Sequence, residues 1–188
     1  MKKNYIVFAI IFFVFQTSWG QGEIDSITAK KIKTLDSLAR INPTESLAAL
    51  TTFYDENKSE IVKNPVSEEQ VLYAFSKYHY YLYQFDESIA YSKRGKIIIK
   101  KNGLETPTYY YDNLIGAIFG NKGMKDSAAY YFTKSAEALA NAGQYSHAAQ
   151  INYNIASLYT NDFNLKDGFT YFEKSLEFYD KIPDSLTK

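Results

Sequence analysis

Between Tyr109 and Lys188 the chain carries the same helical pattern twice, at the constant offset that separates Ile115 from Ile155. Ile115-Gly116 with Phe119 returns as Ile155-Ala156 with Tyr159, and Ala128, Tyr131, Phe132, Lys134 and Ser135 return as Gly168, Tyr171, Phe172, Lys174 and Ser175. One further step back by the same offset stand Phe75-Ser76, His79, Ser88, Tyr91, Ser92, Arg94 and Gly95, which keep the alternation of large and small residues and the Tyr. A fixed period of this length is the mark of a repeat architecture, in which one unit cannot bury its apolar face alone and must stack on its neighbours. The period predicts an all-α solenoid of about four antiparallel helical hairpins, with approximate units 24–63, 67–103, 107–143 and 146–183. Such a chain presents surface, which points to binding.

The local signals agree with helices throughout. Ile24, Ile27, Ile32, Leu35, Leu38 and Ala39 follow helical spacing. Asn42-Pro43-Thr44-Glu45 then stops one helix and starts the next, with Pro in the first turn and Glu45 three residues beyond a cap at Asn42. That second helix is expected to fade in the polar stretch Glu56 to Lys63. Ser67-Glu68-Glu69-Gln70 has the form of a capping box and predicts the next start. Asn102-Gly103 ends that hairpin, Thr106-Pro107 opens the third, Gly123 marks its internal turn and Asn141-Ala142-Gly143 closes it. The fourth runs from about Ser146 to Lys181, and the alternation of a strand is absent.

The 21 basic and 21 acidic residues cancel, so the positive bias that nucleic-acid binding requires is missing. Without a single Cys there are no disulfides, thiolate ligands, thiolate nucleophiles or lipoprotein anchor. Met1 to Gly20 reads as a secretory signal: Lys2-Lys3, an apolar run from Tyr5 to Phe15, and the small-x-small sequence Ser18-Trp19-Gly20. Cleavage is expected near Gly20-Gln21, leaving residues 21–188 exported to the periplasm or cell envelope. The competing reading is an uncleaved anchor, but the apolar run is far shorter than the roughly 20 residues that span a bilayer. No stable membrane insertion is expected after cleavage.

Ile115-Gly116, Phe119, Ala128, Phe132 and Ser135, with their counterparts one period on, resemble the tetratricopeptide repeat family: a large-small pair and an aromatic on the first helix, then a small residue, an aromatic and a small residue on the second. The resemblance implies a right-handed superhelix whose first helices line a concave groove for protein or peptide. It departs from the family in its 40-residue period, in Ser88 and Ser92 standing where Ala and an aromatic belong, and in Leu72, Asp112 and Asn152 replacing the usual Trp. Exported long-period repeats of this kind resemble the sensor ends of bacterial signalling regulators, which makes a sensor portion of a longer chain the first alternative. A glycan-binding component of an envelope uptake system is the second.

Carried onto this chain, the groove comprises Tyr73, Lys77, Tyr80 and Tyr81, then Tyr110, Asn113 and Asn121, then Gln150, Tyr153 and Asn161. Rigid amphipathic rings beside amides suit an extended peptide or a sugar. The alternative for each Tyr is packing between helices with its hydroxyl at the rim. Lys93, Lys96 and Lys100 share one helix face, as a site for an acidic partner or anionic lipid headgroups, or as a solvated surface. His79 is expected to pack as an aromatic, and His147 has no ligand partner at metal spacing. No phosphate loop, nucleophile elbow or fixed carboxylate pair appears, so neither an enzyme nor a cofactor is expected. Tyr171, Phe172 and Phe178 are expected to leave an apolar end face, implying self-association through the C-terminal hairpin or a chain that continues.

Overall fold

The computed structural model describes residues 23–161 and 163–182, so the signal-peptide reading of residues 1–20 lies outside the described residues. These form eight α-helices and no strand: α1 (residues 23–39), α2 (Pro43–Ile61), α3 (Pro65–Tyr81), α4 (Phe85–Asn102), α5 (Tyr109–Asn121), α6 (Lys125–Asn141), α7 (Tyr145–Thr160) and α8 (Leu165–Tyr179). The chain divides into two compact units, residues 1–105 with α1 to α4 and residues 106–188 with α5 to α8. Within each, helices that follow one another pack together, which makes this an all-helical repeat fold.

Its spacing is set by the turns. Tyr83, Gly103, Gly123, Gly143 and Phe163 have φ of 59°, 61°, 72°, 73° and 60°, one left-handed residue every 20 positions. After each, a backbone N–H reaches five residues back: Gln84 to His79, Leu104 to Ile99, Met124 to Phe119, Gln144 to Leu139 and Asn164 to Tyr159, all at 2.9–3.1 Å. This closes the helix end by satisfying a carbonyl left without an intrahelical partner.

Helix starts follow Asn-Pro more closely than the capping box. Asn42 accepts from the Glu45 N–H while its amide donates to the Glu45 carboxylate at 2.7 Å. Asn64 accepts from the N–H groups of Val66 and Ser67, so α3 begins at Pro65, ahead of the predicted Ser67. Ser67 is buried instead and donates to Asp25 of α1 at 2.6 Å. α2 ends at Ile61, within the polar stretch Glu56 to Lys63 where it was expected to fade, and the complete burial of Ile61 holds its last turn. α5 starts at Tyr109, after the expected Thr106-Pro107, where burial of Tyr109 and Tyr111 fixes the first turn without any side-chain cap.

Close helix contact explains the small residues. A Cβ on Gly116 would stand 2.7 Å from the Phe132 ring, so Gly permits α6 to lie against α5 there. In the first unit the same crossing is filled differently: Ser76 and Ser92 hydroxyls meet at 2.6 Å, and the Ser88 hydroxyl donates to the Ser76 carbonyl at 2.8 Å. Ser92 therefore replaces the aromatic because Ser76 replaces the glycine, and the buried hydroxyls satisfy one another. Ser135 and Ser175 each reach a first-helix carbonyl of their own hairpin, at Tyr109 and Ala149. The positions of the missing Trp, Leu72, Asp112 and Asn152, are all buried; Asp112 has Lys134 at 3.7 Å, and Asn152 donates to the Ala148 carbonyl.

α8 differs from the expectation for its outer face. Tyr171, Phe172 and Phe178 are half-buried, and the exposed apolar residues are Leu165, Phe169, Leu176 and Tyr179.

Candidate functional site

The first-helix candidates fall into separate groups. On α3, Lys77 is bound to Asp36 of α1 at 2.6 Å with its ammonium 4.9 Å from the Tyr73 ring centre. Tyr78 beside it is fully buried and donates to the other Asp36 oxygen at 2.8 Å. Burial, then the hydrogen bond to Asp36, raises the Tyr78 pKa far above the ordinary phenol value. Lys77 and Tyr73 thus belong to a clamp that ties α1 to α3. Tyr80 and Tyr81 have ring centres 5.8 Å apart, and Tyr81 packs on the core of the first unit.

In the second unit the candidates lie open to solvent. Tyr110 and Asn113 on α5, and Gln150, Tyr153 and Asn161 on or just after α7, are all exposed. Tyr110 accepts a hydrogen bond from the buried Tyr109 at 3.0 Å, and Tyr153 meets the edge of Phe172 at 5.5 Å. Asn121 donates to the Ala117 carbonyl and Gln150 to Asn154, which shares its face of α7. α5 and α7 approach one another where Gly120 faces Leu158. Tyr110 and Tyr153 are thus exposed rings, each backed by another aromatic.

The clefts, however, lie on the second helices. In the second unit two openings of about 510 and 540 Å³ share Asp126 and Tyr159 and follow α6 toward Tyr171 of α8. The Thr133 hydroxyl at the larger one is buried without a hydrogen-bond partner. The first unit holds a counterpart of about 320 Å³ among α2, α3 and α4, lined by Tyr54, His79, Tyr91 and Arg94. A parallel ring pair recurs once per period, His79 on Tyr91 at 5.2 Å, Phe119 on Tyr131 at 5.5 Å and Tyr159 on Tyr171 at 5.7 Å, and the first lines the 320 Å³ cleft and the third the 540 Å³ cleft. Arg94 stands 5.5 Å from the Tyr91 ring and Lys174 4.8 Å from that of Tyr171. The Tyr159 pKa is raised, first by burial and then by Tyr171 and Asp126. His79 packs as an aromatic, with its Nδ1 2.6 Å from Gln84. The sequence carries a signal for these clefts in the twelve-residue spacing between the first-helix ring and the second-helix Tyr of each period.

Among the described residues no group of three or more His, Cys, Asp or Glu stands together to hold a metal ion, and no helix is long and apolar enough to cross a membrane. The chain matches no protein-family model and no curated protein. Among solved structures, its fold is that of BtubC (BKLC) from P. vanneervenii. That likeness has a TM-score of 0.56 at 13% identity and covers 89% of this chain and 77% of BtubC. At such identity BtubC shares the helical architecture and says nothing further of the site.

Proposed function

We propose that the chain is a non-catalytic scaffold that binds a protein or peptide along its helical hairpins, as the resemblance to tetratricopeptide repeats implies, outside the cytoplasm in the periplasm or envelope. The observation that carries this reading is the exposure of Tyr110, Asn113 and Tyr153 on the first helices of the second unit and of Asn161 at the end of α7. Tyr rings held from behind lose little conformational freedom on binding, while amides adapt their hydrogen bonds to a backbone ligand.

Affinity capture from an envelope extract would supply the partner, and two variant sets would then test the surface. Changing Tyr110 and Tyr153 together to Ala is expected to weaken capture at least tenfold. Changing Tyr91, Tyr130 and Tyr171 in the second-helix clefts is expected to leave it near wild type. The reverse pattern would move the ligand to the other face, and unchanged capture in both sets would reject the ring-based surface.

A further inference from the structure

The cleft of the first unit joins an aromatic interior to a charged rim. Leu72 and Phe75 of α3, both buried, lie at its base. Tyr91 of α4 stacks on Phe75 at 4.9 Å and on His79 at 5.2 Å, while Tyr54 of α2 meets Phe75 edge-on at 5.8 Å. Tyr54, His79 and Tyr91 are only half-buried, so ring surface is left for a further partner. The contact between His79 Nδ1 and Gln84, at 2.6 Å, holds the imidazole in place.

Besides His79, the charged or titratable groups that line this cleft are Arg94 from α4, Asp55 from α2 and the two Tyr hydroxyls. Arg94 and Asp55 are both exposed, and among the described residues neither takes part in an ion pair. Lys58, the other cation close by, stands 5.9 Å from the Tyr54 ring and does not line the cleft. One period on, Lys134 holds the place of Arg94 and meets the buried carboxylate of Asp112 at 3.7 Å. The place of Asp112 is taken in the first unit by Leu72, so the acid that would answer Arg94 is missing from the base of the cleft. In the last period Asn152 takes that place, and Lys174 does not line the neighbouring opening.

We propose that the cleft among α2, α3 and α4 is a binding site for a free aromatic amino acid. Its carboxylate accepts from the Arg94 guanidinium, whose planar fork matches two carboxylate oxygens. Its ammonium faces Asp55, and its ring packs edge-on or offset among Tyr54, His79 and Tyr91. A ligand with a carboxylate alone would set like charge against Asp55, and one with an amine alone would do so against Arg94; a zwitterion answers both. The volume of about 320 Å³ belongs to the small end of sites for small molecules. This site lies in the first unit and does not depend on the peptide surface proposed for the second.

Isothermal titration calorimetry of the full chain tests it. L-Phenylalanine is expected to bind 1:1, whereas 3-phenylpropionate, which lacks the ammonium, and 2-phenylethylamine, which lacks the carboxylate, each bind at least tenfold more weakly. L-Alanine, without the ring, is expected not to bind. Arg94→Gln and Asp55→Asn should each weaken L-phenylalanine at least tenfold; both side chains are exposed, and circular dichroism verifies that helicity is retained. No heat of binding with L-phenylalanine in the millimolar range overturns the proposal, as does unchanged affinity in either variant. So does 3-phenylpropionate that binds as tightly as L-phenylalanine, the behaviour of a site for the C-terminal carboxylate of a peptide.

Discussion

Phe163 is the one described non-glycine residue of its unit in a left-handed backbone, and it is 90% exposed. A side chain there crowds its own carbonyl at a cost of about 1–2 kcal/mol, which Gly avoids. Three of the five turn positions already hold Gly, and the other two hold Tyr83 and Phe163. Phe163→Gly is therefore expected to stabilise the fold by about 1 kcal/mol, less the extra freedom Gly gives the unfolded chain, read as a raised midpoint in urea. Gly143→Ala should move it the opposite way, and a loss of stability in Phe163→Gly would mean that its ring makes a contact that offsets the strain. Tyr83→Gly should gain less, because the Tyr83 ring meets Phe85 edge-on at 5.9 Å. The glycine turns were legible from residue type alone. Tyr83 and Phe163 were not, because an aromatic gives no sign of positive φ; only its place in the regular count of turns does.

Helix boundaries depend on the same kind of context. Asn42-Pro43 and Asn64-Pro65 are one signal used twice, and both cap through the Asn oxygen. The Ser67 motif was competing with a stronger cap three residues earlier, and its hydroxyl was needed to hold Asp25. The link between α1 and α3 then rests on polar groups as much as on apolar ones. Tyr78 keeps its proton in the folded chain far above 10.0, its ordinary value, through burial and the hydrogen bond to Asp36. Below pH 10 it is protonated in both folded and unfolded chains, and its contribution to stability is complete. Above pH 10 the unfolded chain releases that proton and the folded one does not, so stability falls by at most about 1.4 kcal/mol per pH unit from this group. Urea unfolding between pH 9 and 11 is expected to show a steeper alkaline loss in wild type than in Tyr78→Phe, whose stability at pH 8 should be lower by about 1 kcal/mol for the lost hydrogen bond. Parallel slopes would remove Tyr78 as the source.

For the molecule as a whole, the repeat and its helical class were legible because a fixed period constrains which residues turn inward. Gly116 facing Phe132 and the half-buried Phe172 follow from that period directly. The use of the remaining surface was not legible. Lys77 looked available in sequence and is held by Asp36, while the clefts at Tyr91 and Tyr171 lie where rings twelve residues apart stack across two helices, a spacing present in the sequence that gains its meaning from the packing. Excising residues 124–163, one full period, would join Gly123 to Asn164, a residue that already follows such a turn. It would place Phe172 over Gly116 and Ser175 beneath the Tyr109 carbonyl, where Phe132 and Ser135 now stand. That shortened chain is expected to unfold cooperatively at a lower temperature, whereas removing 124–161 should abolish the transition; equal behaviour of the two would mean that the turns do not set the spacing. Length in such a protein is quantised: the gene can shed or duplicate a hairpin and keep every cap in phase, but an insertion of two or three codons inside a helix rotates everything beyond it away from its neighbours.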